Sequence, residues 1–271
     1  MKNIALLLII IHYTSFFASA QDMCLQFDGQ NDYGLMPFQD LTGKSEITLE
    51  AWINPDPNIP QYYQNIVRQN GLNIPAALLM AYQNNGTAIT FGLNTTSGYV
   101  EIDHPVSPSQ FTNVWSHIAF VYDGDLMRMY INGMLVDSAV NAGTMNFSQP
   151  NTIFFGRRTI SSPTEPYHGK LDEVRIWDVA RTQQEIFNNM NCALFGPIPG
   201  LLAVYNLNST SGTVVIDNSG NGSSGTIYNS PPWITSPVAP ICSVGIDEQN
   251  RSVDLSVFPN PVTQYFSVDN Q

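Results

Sequence analysis

The chain has 271 residues, of which 43% are hydrophobic and 12% are charged, so it can bury the core of one domain or slightly more. Its formal net charge is −12 with only 10 Lys and Arg, which excludes a nucleic-acid-binding protein because little could neutralise phosphates. The 19 glycines and 18 prolines are typical of a chain with many turns and few helices.

The first segment, residues 1–20, has the pattern of a secretory signal peptide. One lysine precedes an apolar run from Ile4 to Ile11, and Ala18-Ser19-Ala20 forms a small-residue cleavage site before Gln21. The alternatives are a buried strand or a membrane anchor, but the run is short for a membrane span and no other segment is long enough. We therefore expect a secreted or cell-surface protein with no membrane span after cleavage.

From Met23 to about Trp233 the chain alternates between short apolar segments and turns. In "EITLEAWIN" the apolar residues recur at every second position, which predicts a strand with one core face. The core face is expected to carry Ile47, Leu49, Ala51 and Ile53, and the other face Thr48, Glu50, Trp52 and Asn54. Two turn dipeptides, Asp123-Gly124 and Asn132-Gly133, predict three antiparallel strands at 116–122, 126–131 and 134–138.

Only one helix is predicted, at about residues 182–190. Thr182 and Glu185 have the spacing of a capping box, and Ile186 and Phe187 follow on the apolar side. Many short strands with one short helix, and no internal repeat, predict an all-β protein. Its fold is expected to be an antiparallel β-sandwich of jelly-roll type.

Ordered motifs across residues 23–235 resemble a known family. "CLQFDGQNDYGLMP", "EITLEAWINP" and "VWSHIAFVYDG" are followed by "YHGKLDEVRIWDVARTQQEI" and "GLLAVYNLN". In this order they resemble LamG-like jelly-roll domains, the concanavalin A-like sandwiches related to laminin G and pentraxin modules. The resemblance implies one such domain at residues 21–236.

The C-terminal "VFPNPVTQYFSV" is similar to the start of the sorting domains of the type IX secretion system of Bacteroidetes. Residues 237–253 are then a linker and residues 254–271 the start of a truncated sorting domain, expected from a partial reading frame. The resemblance implies a bacterial protein and the type IX machinery as a partner of the full-length chain. The alternative is a disordered tail that contains Pro-Asn-Pro.

Catalytic motifs are not found in the sequence. Glu46 and Glu50 do not form a Glu-x-Asp-x-Glu array, and the adjacent Asp172 and Glu173 are expected to point to opposite faces of a strand. Nucleophile elbows, phosphate loops and zinc-ligand histidine pairs are also missing. The sequence therefore predicts a protein that is not an enzyme.

A structural calcium ion is the cofactor that the family resemblance implies. The oxygen donors would be Asp28, Asp32 and Asp172, with carbonyl groups near Gly29. If the first and late strands are neighbours, Asp28 and Asp172 come together. The alternatives are that Asp28 bonds only its own turn and that Asp172 is a solvated strand residue.

A carbohydrate site would combine tyrosine rings with amide groups from loops, because sugars offer both C–H faces and hydroxyls. The alternative for any one of these side chains is a role in the core or as a lid. The candidate ligand-binding residues are Tyr62, Tyr63, Asn84, Asn85, Tyr99 and His104.

The three cysteines, Cys24, Cys192 and Cys242, allow at most one internal disulfide, and Cys192 with Cys242 is the predicted pair. The predicted function is non-catalytic recognition of a polysaccharide or glycoconjugate, as an adhesin or an accessory to polysaccharide degradation. The alternatives are a protein–protein or matrix adhesion domain, and a glycoside hydrolase or lyase.

Overall fold

The computed structural model describes residues 22–37, 39–58, 62–71, 74–147, 152–159 and 165–238, and the short pairs 258–259 and 266–267. The predicted signal peptide lies outside the described residues, as do nearly all of the predicted linker and most of the predicted sorting segment. Among the described residues, none of the helices is long and apolar enough to span a bilayer.

Strands dominate the described chain. The first ten are β1 (Met23–Asp28), β2 (Tyr33–Met36), β3 (Ile47–Pro55), β4 (Tyr63–Gly71), β5 (Ile74–Gln83), β6 (Ala88–Thr95), β7 (Gly98–Pro105), β8 (Ser116–Tyr122), β9 (Leu126–Ile131) and β10 (Met134–Val140). These are followed by β11 (Ile153–Phe155), β12 (His168–Trp177), β13 (Leu201–Tyr205), β14 (Val214–Val215), β15 (Gly225–Tyr228), β16 (Trp233–Thr235), β17 (Phe258–Pro259) and β18 (Phe266–Ser267). The helices are α1 (Pro108–Phe111) and α2 (Gln183–Asn189).

Two antiparallel sheets of eight strands form a sandwich, as predicted. The first sheet has the order β10-β9-β8-β3-β12-β1-β16, and β13 also pairs with β12. The second sheet has the order β14-β15-β2-β11-β4-β5-β6-β7. Neighbours in space come from distant parts of the chain, which is the topology of a jelly roll. Beyond residue 238, β17 pairs with β18.

The core lies between the two sheets. Ile47, Leu49, Ala51 and Ile53 of β3 all belong to it and are fully buried, which confirms the predicted inward face. The rings of Phe91 in β6 and Phe120 in β8 stack across the sandwich, with centroids 4.5 Å apart. Burial of such large apolar side chains is the main force that holds the sheets together.

The predicted hairpins are confirmed, since β8 and β9 have the predicted bounds and β10 extends two residues further, to Val140. Helix α2 begins after Thr182, whose side chain forms the predicted capping box with Glu185. The prediction missed α1, because four residues are too few to show a helical period.

A β-bulge in β12 corrects the prediction that Asp172 and Glu173 point to opposite faces. Core residues Leu171 and Val174 are separated by two positions instead of one, and Glu173 takes a left-handed φ of 48°. An extra residue in one strand breaks the alternation locally. Both carboxyls are therefore buried outside the central apolar core.

The cysteines have different states. Cys24 is buried with a free thiol, and Cys192 takes part in a disulfide bond. Its predicted partner, Cys242, lies outside the described residues, so the pairing stays a prediction.

Candidate functional site

A cavity of about 300 Å³ lies on the outer face of the second sheet, over strands β4 to β7. We call it the groove. Its walls also include residues from the segment that follows β11. The lining residues are Tyr63, Asn65, Arg68, Leu79, Ala81, Gln83, Asn84, Tyr99, Glu101, Asp103, Arg158 and Glu165.

The floor of the groove follows from strand register. One cross-strand row contains Asn65, Ala81, Thr90 and Asp103, and the next contains Arg68, Leu79, Gly92 and Glu101. Residues paired across neighbouring strands share a face, so polar side chains at both sides flank small or apolar ones in the middle. The centre of the floor therefore carries only small or apolar side chains.

The Tyr99 ring fills the space that the missing side chain of Gly92 leaves free. A Cβ atom at Gly92 would lie 2.8 Å from Tyr99 Cζ and 3.2 Å from Leu79 Cβ. The Tyr99 hydroxyl donates a short hydrogen bond to Glu101. Burial, followed by the neighbouring Glu101, raises the pKa of Tyr99, so the hydroxyl stays protonated and can keep donating.

A hydrogen-bonded cluster forms one wall of the groove. Asn65 Nδ2 donates to Glu165 Oε2 at 2.7 Å, and Arg68 Nη1 donates to Asn65 Oδ1 at 3.0 Å. Arg158 Nη1 donates to Glu165 Oε1 at 2.8 Å. Burial lowers the pKa of Arg68 below its ordinary value, but a guanidinium stays charged in proteins. The wall is thus a fixed network of two guanidinium groups, one amide and one carboxylate.

Two carboxylates stand on the opposite side. Glu101 and Asp103 lie two positions apart on β7, and both line the groove. The Thr90 hydroxyl donates to Asp103 Oδ1 at 2.6 Å, as Tyr99 does to Glu101. These bonds orient the carboxylates, whose remaining lone pairs can accept hydrogen bonds from a ligand.

The structure brings most of the predicted ligand-binding residues to this groove. Tyr63, Asn84 and Tyr99 line it. Tyr62 packs edge-on against Tyr63, with ring centroids 4.6 Å apart, and both rings are nearly half exposed. Asn85 lies at the same end, where its backbone N–H donates to the Tyr62 carbonyl at 3.4 Å. The role of these residues in binding stays a prediction.

His104 is the exception among the predicted ligand residues. It follows Asp103 on β7 and therefore points to the opposite face of the strand. Its Nδ1 lies 3.3 Å from Asp137 Oδ2 on β10, in the first sheet. His104 therefore links the two sheets instead of facing the groove.

The polar residues that form the walls were not predicted from the sequence. They are Asn65, Arg68, Glu101, Asp103, Arg158 and Glu165. The sequence "YVEIDHP" did contain a signal, since Glu101 and Asp103 alternate with the buried Ile102. The other four residues come from a bulged strand and an irregular segment. No local periodicity could have identified them.

The predicted calcium ligands do not form one site. Strand β1 pairs with β12 as predicted, but Asp28 lies opposite His168, while Leu25 lies opposite Leu171. Asp172 is four residues further along β12 than His168, the residue opposite Asp28. Strand geometry therefore places Asp172 roughly 13 Å from the position opposite Asp28. Asp28 Oδ1 accepts the backbone N–H groups of Gln30 and Asn31, which is the turn role named as the alternative.

The described residues contain no group of three or more His, Cys, Asp or Glu side chains placed to hold a metal ion. Asp32 is nevertheless close to the Asp28 turn: its Oδ2 accepts the Asp28 N–H at 3.2 Å, and burial, with the charge of Asp28, raises its pKa to about 6. A calcium ion at Asp28, Gly29 and Asp32 stays a prediction.

Comparison with known families supports the fold. The family model described as the concanavalin A-like lectin/glucanases superfamily matches residues 28–187. A stretch of 104 residues is 31% identical to mouse pappalysin-1; it covers 36% of this chain and 6% of that protein. The chain therefore spans only a small part of the length of the curated relatives that it matches.

Solved structures show the same sandwich. A candidate carbohydrate-binding protein from Bacteroides ovatus has a TM-score of 0.63 and 24% identity, covering 82% of this chain and 62% of that one. A heptameric SAP-like pentraxin from Limulus polyphemus has a TM-score of 0.52 and 17% identity, covering 83% and 99%. At these identities the likeness establishes the fold alone.

Proposed function

Because this chain belongs to the concanavalin A-like lectin/glucanases superfamily, we propose that its groove binds a segment of a polysaccharide or glycoconjugate without cleaving it. One observation carries the proposal. The groove places Tyr63 and Tyr99 beside an exposed guanidinium donor, Arg158, and two oriented acceptors, Glu101 and Asp103. Aromatic, donor and acceptor groups together are what the C–H faces and hydroxyls of a sugar require.

The chemistry of a sugar ring matches these groups. Its C–H face can stack on the Tyr63 ring, which is 45% exposed at the rim. Its hydroxyls can accept from the exposed Arg158 guanidinium and donate to Glu101 or Asp103. Fixed side chains lose little conformational entropy when the ligand binds. The similarity in fold to a candidate carbohydrate-binding protein supports the same class of ligand.

In the cell we propose a secreted or surface-attached module that serves as an adhesin or as an accessory to polysaccharide degradation. The signal-peptide pattern of residues 1–20 and the sorting-domain resemblance of residues 254–271 support export through the type IX machinery. A structural calcium ion at Asp28 and Asp32 belongs to the same proposal, since their carboxylates are ligands of the kind that calcium prefers.

The test is affinity electrophoresis of the chain against laminarin, xylan, mannan, arabinan and mucin glycans, with calcium and with EDTA. We expect retardation by at least one of them and a loss of about tenfold in affinity for Tyr63→Ala, because a stacking contact is removed. Phe195→Ala is the control, since Phe195 is equally exposed and does not line the groove. A folded protein that binds no glycan would contradict the proposal and favour protein adhesion.

Glycan hydrolysis is a second candidate function, and Glu101 with Asp103 favours it. Their positions on one face of β7 place two carboxyls about 7 Å apart by strand geometry, within the range used by glycoside hydrolases. We favour binding because both carboxylates are already held as acceptors by Tyr99 and Thr90. Release of reducing ends by the wild type, and its loss in Glu101→Gln, would reverse this preference.

A further inference from the structure

A second aromatic cluster lies on the second sheet outside the groove. The rings of Tyr33 in β2 and Tyr228 in β15 stack nearly parallel, with centroids 4.7 Å apart and planes 8° apart. The guanidinium carbon of Arg157 lies 4.3 Å from the centroid of the Tyr33 ring. The buried Arg157 and Tyr33 therefore hold Tyr228 in one orientation.

Strand register places this cluster on the same face of the sheet as the groove. Arg68 of the groove lies opposite Phe154, Phe154 lies opposite Leu35, and Leu35 lies opposite Thr226. Tyr33 is two residues from Leu35, and Tyr228 is two residues from Thr226, so both tyrosines share that outer face. Strand β5, at the centre of the groove, is separated from β2 by three strand spacings, so the distance between the two strands is roughly 14 Å.

One short segment connects the two sites. Arg157 contacts Tyr33, while the next residue, Arg158, lines the groove and binds Glu165. A ligand that crosses this segment could therefore contact both sites at once.

Tyr228 is placed for contact with a ligand. Its side chain is 40% exposed although its ring is stacked, and the nearby Val214, opposite Thr226 on the same face, is 55% exposed. Exposed apolar side chains beside a proposed site indicate further contact surface. The two residues after Tyr228, Asn229 and Ser230, both have left-handed φ values, of 66° and 67°, so the chain turns directly after this ring.

We propose that Tyr228, supported by Tyr33 and Arg157, is a second sugar-stacking subsite, so that this face binds an extended glycan chain across several strands. The proposal rests on the function proposed for the groove and specifies its ligand as an internal stretch of a polymer instead of a chain end or a single sugar. A flat, oriented ring is the surface that the C–H face of a pyranose requires.

The experiment compares short and long ligands. Isothermal titration with laminari-, xylo-, manno- and arabino-oligosaccharides would measure affinity for each trisaccharide and for the parent polysaccharide. We expect Tyr228→Ala to bind the trisaccharide as the wild type does and to lose about tenfold in affinity for the polymer. Tyr228→Phe, which keeps the stacked ring, is the matched control and should keep most of the affinity for the polymer.

Three other outcomes would each contradict the proposal of a second subsite. If Tyr228→Ala binds the polymer as tightly as the wild type while Tyr63→Ala does not, the groove binds glycan and Tyr228 takes no part. If Tyr228→Ala weakens the trisaccharide and the polymer equally, its effect passes through the groove. If the folded wild type binds no glycan, the function proposed for the groove fails together with the subsite.

Discussion

Glu50 shows how a single residue can be essential to the fold without taking part in the site. It is fully buried on the outer side of the first sheet, with Oε1 2.7 Å from Arg181 Nη1 and Oε2 3.3 Å from His117 Nε2. Arg175 Nη1 lies 3.8 Å from Oε2. Burial by itself would raise the pKa of Glu50, but His117, Arg181 and Arg175 lower it to about 2.

We expect Glu50→Gln to lower the free energy of unfolding by about 3 to 5 kcal/mol, because it leaves the buried Arg181 guanidinium without its counter-ion, while Arg175 keeps Glu173. Urea unfolding at neutral pH measures the change. The control is Glu46→Gln, the same substitution at an exposed position that accepts only the Ala180 N–H, with an expected change below about 1 kcal/mol. Equal effects of the two substitutions would contradict this account.

A test of the groove floor is Gly92→Ala, which we expect to weaken glycan binding by about tenfold. The free energy of unfolding should change by no more than about 1 kcal/mol. The added methyl group meets the Tyr99 ring at the groove floor, so the ring must move away from Glu101. Titration with whichever glycan the electrophoresis screen identifies would measure the effect. In a Tyr99→Ala background the same substitution should have a much smaller further effect, since the clash with the ring is gone and only the close contact with Leu79 Cβ remains. Wild-type affinity of Gly92→Ala would show that Tyr99 is not part of the binding surface.

Residue type alone identified part of the groove. Tyr63, Asn84 and Tyr99 were predicted because aromatic rings and amides are the groups that sugars require, and all three line the cavity. Arg158 and Glu165 were missed, because their pairing depends on how the segment after β11 folds back over β4. His104 does not line the groove, because a one-residue step along a strand reverses the face, and its role in binding stays a prediction.

At the scale of elements, local chemistry was sufficient for the hairpins. Gly124, Asn132 and Gly133 have φ values of 98°, 51° and 76°, the left-handed conformation that the turn dipeptides predicted. The bulge at Asp172 and Glu173 could not be predicted, because no residue there is specific for a left-handed conformation.

Helix α2 provides a test at the same scale. Thr182 Oγ1 accepts the Glu185 N–H at 3.3 Å, and Glu185 Oε2 accepts the Thr182 N–H at 2.7 Å. We expect Thr182→Ala to lower the free energy of unfolding by about 1 kcal/mol through loss of the cap. Thermal and urea unfolding would measure it. For comparison, Gln183→Ala changes the first helical residue but leaves both capping bonds, and should alter stability by less than about 0.5 kcal/mol; a comparable loss in both variants would argue against the capping bonds.

For the whole molecule, buried carboxyls make stability depend on pH. Burial raises the pKa of Asp22 and Asp32 to about 6 and of Glu173 to about 7, and raises the pKa of Asp172 well above its usual value. The folded chain then binds protons that the unfolded chain releases, so the free energy of unfolding falls as pH rises from about 4 to 7. His117 opposes this, because burial lowers its pKa and the unfolded chain takes up its proton below about pH 6.5.

Four carboxyls outweigh one histidine, so we expect a larger free energy of unfolding at pH 5 than at pH 8, measured with urea. Glu173→Gln should reduce the difference, since it removes one of the groups that titrates in this range. Stability that rises from pH 5 to pH 8 would show that the carboxyls are not buried as described. Below about pH 4 the free energy of unfolding should instead decrease as the pH falls, because protonation of Glu50 then favours the unfolded chain.

The sequence by itself determined β3, the β8–β10 hairpins, the capped helix and the sandwich, because alternation, turn dipeptides and capping boxes act between residues close in the chain. It did not predict the strands of the groove: Tyr63, Tyr99 and His104 were expected in loops and lie on β4 and β7. Only the tertiary structure decided where the site is. The residues that line the groove come from three strands, the turn after β5 and a distant segment, and the Tyr33–Tyr228 stack joins positions 195 residues apart in the sequence. Which side chains meet on one face depends on register and bulges, and these are set by the packing of the whole sandwich.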